Sequence, residues 1–393
     1  MKKIIAISVM FALVAGAVFA DTAISGNVET RFTILDKTGG KDDDPIAKGS
    51  IGAANFSFSG SSSDGTLGGQ ITFKGMDLIR TAHDNLPAVF TPQGINKAYV
   101  WWKPIDQIKI FLGINNDGIF DTDSIAGWSY HAGDNDYLFK HHWDFWRQVF
   151  PHHFDYFGLA LSFYPVQGLE LNLVLPTGGI GWRQDPDWKI EQKVPLTGEG
   201  GLLPERLTLQ GSYSFDAGTV QFAYRGKKNV SEKGTQIFSA SGDNNGLVGL
   251  SFILKAIENM QILVGGSIIL DDPDMIINAG LGFVYNGDGF GVKARAALVM
   301  CGDQDMFITG SVMPFFAVGE KGQVLVDIGV TNWAKKDPAL GWFLTPAYRL
   351  GLDGGAFKIG IQVFSNIDDG GNITISGNDW VKFRVPMLLS FNF

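Results

Sequence analysis

Cysteine is nearly absent from the chain. One residue, Cys301, stands among 393, so no disulfide can form within it, and its position near a strand end reads as an ordinary small side chain. Past the first twenty residues there is no apolar run approaching the roughly 18 residues a membrane-crossing helix needs, so any residence in a bilayer has to be achieved with strands. Charge is sparse as well, at 18% of residues, and the formal balance is −9. An acidic chain has no long-range attraction for phosphate backbones, which excludes nucleic acid as a partner. Abundant glycine (51 residues) and 12% aromatics fit a β-rich chain with many turns.

Residues 1–20, MKKIIAISVMFALVAGAVFA, begin with two lysines, continue as an apolar run from Ile4 and end in small residues, with Val18 and Ala20 where a signal peptidase reads. This predicts a cleaved secretory signal, leaving 21–393 as a single domain. From residue 22 onward, segments of alternating hydrophobicity recur, eighteen by our count with sixteen as the alternative, from 22–35 to 379–393. The links between them are alternately short and long. Short ones carry Gly, Asn, Asp or Pro, as in Ser63-Asp64-Gly65, Lys103-Pro104-Ile105-Asp106 and Asn286-Gly287-Asp288-Gly289, residue types that tolerate or preset hairpin dihedrals. The third long link, 115–155, is the longest.

Sidedness separates a membrane barrel from a soluble sandwich. One face of each strand carries no charge, as in Val324, Val326, Ile328 and Val330 or Phe357, Ile359, Ile361 and Val363, whereas the other carries Gln323, Asp327, Lys358 and Gln362. A closed barrel of this many strands has room for water inside, so its polar face turns inward and its apolar face meets lipid. The last strand, WVKFRVPMLLSFNF, repeats the pattern and ends on Phe393, with Pro386 inside it. The expected fold class is therefore all-β, a transmembrane antiparallel β-barrel.

The N-terminal signal, the alternation of short and long links and the final strand ending in phenylalanine together resemble the bacterial outer-membrane porins over residues 21–393. Eighteen strands is the maltoporin-like number and sixteen that of general porins. The resemblance implies residence in the outer membrane, short periplasmic turns, long extracellular loops, a homotrimer, a channel for passive diffusion of small hydrophilic solutes, and a third loop folded inward to narrow it. It implies no enzymatic activity and no cofactor. The alternatives are a sugar-selective, maltoporin-like channel and, further off, a barrel hydrolase or an adhesin.

Inward-facing charges predicted from the alternation are Arg31, Lys74, Lys97, Lys109, Arg206, Arg225, Lys293, Arg295, Arg349, Lys358, Lys382 and Arg384 against Glu29, Glu170 and Asp327. An acidic protein thus has a basic wall, and its acids concentrate in links. In 115–155 these include Asp117, Asp121, Asp123, Asp134, Asp136 and Asp144, beside Trp143 and Trp146. Acids set opposite wall arginines in a confined space would give a transverse field that favours polar solutes, with anions or sugars as candidates. Four histidines of this link, His141, His142, His152 and His153, belong to residue types that bind Zn or Cu, but their spacing matches no strong metal pattern, and we expect no metal. Loop tryptophans and Trp101 suggest stacking on sugars.

Overall fold

The computed structural model describes residues 21–37, 44–77, 91–115, 157–176, 207–226, 246–270, 276–301, 305–333, 340–366 and 381–393. The expected signal segment 1–20, nearly all of the link 115–155 with its aspartates, tryptophans and histidines, and Arg206 lie outside the described residues.

Nineteen hydrogen-bonded segments form one antiparallel sheet closed on itself. In chain order they are β1 (Asp21–Lys37), β2 (Ile46–Ser61), β3 (Leu67–Asp77), β4 (Thr91–Ile105), β5 (Ile108–Asn115), β6 (Phe157–Phe163), β7 (Leu169–Pro176), β8 (Thr208–Phe215), β9 (Gly218–Arg225) and β10 (Leu247–Leu254). The remainder are β11 (Met260–Ile269), β12 (Ile276–Asn286), β13 (Phe290–Cys301), β14 (Asp305–Val318), β15 (Gly322–Trp333), β16 (Leu340–Leu352), β17 (Gly355–Gly360), β18 (Gln362–Ser365) and β19 (Lys382–Asn392). β17 and β18 are halves of a single stave, since both pair with β16 and β19 in one continuous register, so the barrel has eighteen staves.

Each stave pairs with the next in sequence, and β19 returns to β1. At the closing seam Gly26 N–H donates to the Phe393 carbonyl (2.9 Å) and Phe393 N–H to the Gly26 carbonyl (3.0 Å). Closure leaves no unpaired edge, which is the condition for strands to cross lipid. The short turns lie together at one end of the barrel with Asp21 and Phe393, and the long links leave from the other. Among the turns, Gly65 (φ 67°) follows Asp64, whose carboxylate accepts from Ser62 Oγ (2.6 Å), Thr66 N–H (3.1 Å) and Thr66 Oγ1 (2.9 Å). Those three bonds hold the Asp64 carboxyl near 2, well under its usual 3.8.

Prolines explain the irregularities. Pro386 pairs with Thr33 where β1 carries an extra residue, Ile34, and a bulge is a position where a strand tolerates a missing donor. The stave broken at Ile361 has Pro346 opposite Ile361 on one side and Pro386 opposite Gly360 on the other. Ile361 N–H reaches the Pro346 carbonyl at 2.9 Å, but neither proline can donate back. A third case corrects the expected turn at 103–106. β4 continues to Ile105, the register shifts between Trp102 and Ile105 around Pro104, and Asp106-Gln107 make the turn.

The two faces differ as the alternation predicts. Leu250, Val264, Leu281, Val330 and Leu389 stand out from the convex side with about half or more of their surface exposed, while the intervening positions are buried. Exposed aromatic rings gather near the short-turn rim of that side. Phe290 and Phe316 are 5.0 Å apart, Phe56 and Phe393 5.7 Å, and Tyr213 and Phe215 5.8 Å, the placement of an interfacial aromatic girdle.

Candidate functional site: the inner wall

The concave face falls into two arcs. From β13 to β19 it is charged: Arg295, Lys358, Lys382 and Arg384 are buried on it, Lys293 and Arg349 half-buried, and Asp327 fully buried among them. Register places five polar groups side by side at one level across β1, β19, β18, β16 and β15, in the order Asp36, Arg384, Gln362, Thr345 and Asp327. Arg384 Nε donates to Gln362 Oε1 (2.5 Å), and its guanidinium lies 5.3 Å from the centre of the Phe364 ring. One level on, Arg295 Nε donates to Ser311 Oγ at 3.0 Å. The positive fields of Arg295 and Lys293 both reach the Asp327 carboxyl.

From β6 to β11 the wall is made of hydroxyls and amides. Ser162, Asn172, Thr208, Gln210, Thr219, Gln221, Ser251 and Ser267 are buried on it. Ser162 donates to Asn172 Oδ1, Asn172 Nδ2 donates to Glu170 Oε1 (3.0 Å), and Ser251 Oγ donates to Gln221 Oε1 (3.1 Å). Near the short-turn mouth this arc holds a cleft of about 410 Å³ whose lining includes Asp106, Tyr164, Glu170, Ser212 and Ser214. Tyr164 donates to Glu170 at 3.3 Å, and burial, then the Glu170 charge, raises its phenol above the ordinary value.

Of the residues expected to face inward, Lys293, Arg295, Asp327, Arg349, Lys358, Lys382 and Arg384 come together on the charged arc, with Lys109 and Glu170 on the other side. Backbone pairing gives Glu29, Arg31, Lys74, Lys97 and Arg225 positions of the inward phase, opposite Ser390, Leu388, Gly94, Thr72 and Thr208. Lys109 has its ammonium 4.3 Å from the centre of the Trp101 ring and 4.7 Å from that of Phe111. Trp101 itself lies over Gly68, where a Cβ would come within 2.4 Å of the ring. Held between strand and lysine, this ring has little surface left for stacking on a sugar.

No protein-family model and no curated protein matches the sequence. Solved structures do. OmpF of Salmonella typhi, in a complex with daunomycin, superposes with a TM-score of 0.54 at 11% identity over 95% of this chain and 97% of its own. An anion-selective porin from Comamonas acidovorans gives 0.54 at 10% identity, covering 95% of this chain and all of its own. In-vitro folded OmpT, an outer-membrane protein of Vibrio cholerae, gives 0.51 at 10% over 95% and 97%. The chain has the porin fold. Identities this low carry the architecture and nothing about solutes.

Within that porin fold the inward apolar residues went unread in the sequence. Phe343 and Phe364 are paired neighbours on β16 and β18, nearly sealed, and Leu325, Met313 and Ala347 form a small core on the inner face. The signal was present as stretches where alternation gives way to a continuous apolar run, such as Val324-Leu325-Val326 and Trp342-Phe343-Leu344. Among the described residues no group of three or more His, Cys, Asp or Glu could hold a metal, and the four candidate histidines lie outside them.

Proposed function

We propose that this chain is an outer-membrane porin, a water-filled channel through which small hydrophilic solutes diffuse passively. The observation carrying the reading is the division of faces on one closed barrel. Apolar side chains stand exposed on the convex side, and the buried polar and charged side chains collect on the concave one, with a few apolar residues among them. A basic arc gives the channel a preference for anions, because a cation in a low-dielectric confinement meets unscreened repulsion there. The acidic, aromatic link 115–155 supplies the opposite charge by composition, and we assign it the narrowing role. The chain is exported by its first twenty residues, assembles as a homotrimer and performs no covalent chemistry. The sugar-selective alternative is less favoured at Trp101, where the Lys109 ammonium lies over the ring.

Planar-bilayer recording on the purified protein tests this. Stepwise conductance with a reversal potential on the anion side is the expected result. A folded protein that conducts nothing removes the channel reading, and cation preference removes the role given to the basic arc.

A further inference from the structure

Every cation described on the charged arc is engaged. Arg295 and Arg384 donate to Ser311 and Gln362, and Lys293, Arg349, Lys358 and Lys382 have partners as well. Four of the six, Arg295, Lys358, Lys382 and Arg384, are also almost wholly buried. Charges held that way set a potential but keep few donors for a passing ion. Lys109 is held differently. It is half-buried, the second residue of β5 from the short-turn mouth, and among the described residues its ammonium has no hydrogen-bond acceptor and no carboxylate at ion-pair distance. Its neighbours are two rings, Trp101 at 4.3 Å and Phe111 at 4.7 Å from ammonium to ring centre. Aromatic faces attract a cation through their quadrupole without offering a lone pair, so the charge is fixed in place while its N–H groups stay available.

The cage is itself rigid. Trp101 lies over Gly68, where a Cβ would come within 2.4 Å of the ring. Phe111 meets Tyr99 edge-on at 5.6 Å, and the Tyr99 hydroxyl donates to Gln70 Oε1 at 2.8 Å. A lysine free to swing gives up rotamer freedom each time it grips an anion, whereas this one has given it up already. The acid whose field reaches Lys109 is Glu170, and its Oε1 accepts from Tyr164 (3.3 Å) and Asn172 (3.0 Å). β5 is the fifth stave and β14 the fourteenth of eighteen, so Lys109 stands across the lumen from the charged arc.

We infer that Lys109 is the specificity-determining cation of the wall, the residue a permeating anion touches directly, with the charged arc acting at longer range. Its ligands are compact hydrophilic anions such as chloride and phosphate, whose oxygens or charge answer the open N–H groups. The inference rests on the channel reading, because such a contact governs permeation only where ions pass.

Two measurements on the full chain test it. In planar bilayers Lys109→Gln should lower the anion-over-cation permeability ratio by about twofold or more, Lys358→Gln, which removes a charge already sealed in the wall, should change it less, and Lys109→Arg should retain it. In detergent micelles, brief treatment with acetic anhydride followed by peptide mass spectrometry should acetylate Lys109 severalfold faster than Lys358 or Lys382. A conducting channel whose ratio is unchanged in Lys109→Gln, or falls as far in Lys358→Gln, overturns the inference and leaves the channel standing. So does acetylation of Lys109 no faster than that of the two buried lysines. A folded barrel that is acetylated at Lys109 but conducts nothing removes the channel reading and, with it, any role for this residue in permeation.

Discussion

The wall from β6 to β11 and the wall from β13 to β19 belong to one barrel with the same alternation, yet they satisfy their buried polar groups differently. The first uses short neutral bonds between neighbours, Ser162 to Asn172 and Ser251 to Gln221. The second buries whole charges and sets them against hydroxyls, amides and the Phe364 ring. A neutral bond costs little if lost, whereas a buried charge stripped of its partner is costly, so the charged arc is the less forgiving half. Each arc also has its own cleft, an acidic one with Asp106 and Glu170 and a basic one with Lys293 and Arg349. The lesson is that the wall has a polarity around its circumference as well as between inside and outside.

The comparison breaks most sharply at Asp327. Replacing it with Lys should destabilise the barrel by about 3–5 kcal/mol by burying a further cation beside Arg295 and Lys293, against about 1–3 kcal/mol for Gln210→Ala on the neutral arc. Urea unfolding in lipid, followed by tryptophan fluorescence, measures both, and equal losses would erase the distinction. Next in size is Gly329→Ala. Its Cβ would fall 2.1 Å from the Phe343 ring, an overpacking worth about 1–3 kcal/mol in the same assay, relieved by adding Phe343→Leu.

A smaller effect is expected on permeation. Arg295→Gln with Arg349→Gln should lower the anion-over-cation permeability ratio severalfold, while Gln210→Ala with Gln221→Ala should leave it in place. Reversal potentials in a salt gradient decide, and an equal shift from both pairs would assign selectivity to some other part of the chain. The smallest effect is at a turn remote from both arcs. Asp64 is harder to protonate folded than unfolded, so its contribution is complete above about pH 4 and drains away as pH falls through about 2. Ser62→Ala should move its carboxyl resonance midpoint up toward 3.8, and an unmoved midpoint would dismiss the Ser62 bond as the cause.

Strand positions were legible because alternation over seven or more residues is a strong signal. The expected first and last segments, 22–35 and 379–393, agree with Asp21–Lys37 and Lys382–Asn392 to within three residues, and the count of eighteen matches the staves. The break at Ile361 was not legible, because it depends on Pro346 and Pro386 flanking one stave from either side, a fact of register and not of local sequence. The basic character of the wall could be read from Lys293, Arg295, Lys358 and Arg384, but its neutral counterpart could not. Ser162, Thr208 and Ser251 look like any surface hydroxyls until pairing puts them on one face. The basic cleft was hidden for the same reason, since nothing local marks Leu325 and Phe315 until register pairs them on the inner face.

The seam between β1 and β19 also sets a kinetic condition. Gly26 and Phe393 are partners from nearly opposite ends of the chain, and loop-closure entropy rises only slowly with length, so distance alone adds little to the cost of joining them. Timing matters more. Until the last stave arrives, β1 and β17–β18 each present an open ladder edge able to recruit any other strand, and the closing contact has the longest range in the fold. The last stave therefore acts as a latch: a chain released short of β19 is a curved sheet with two adhesive margins and no inside.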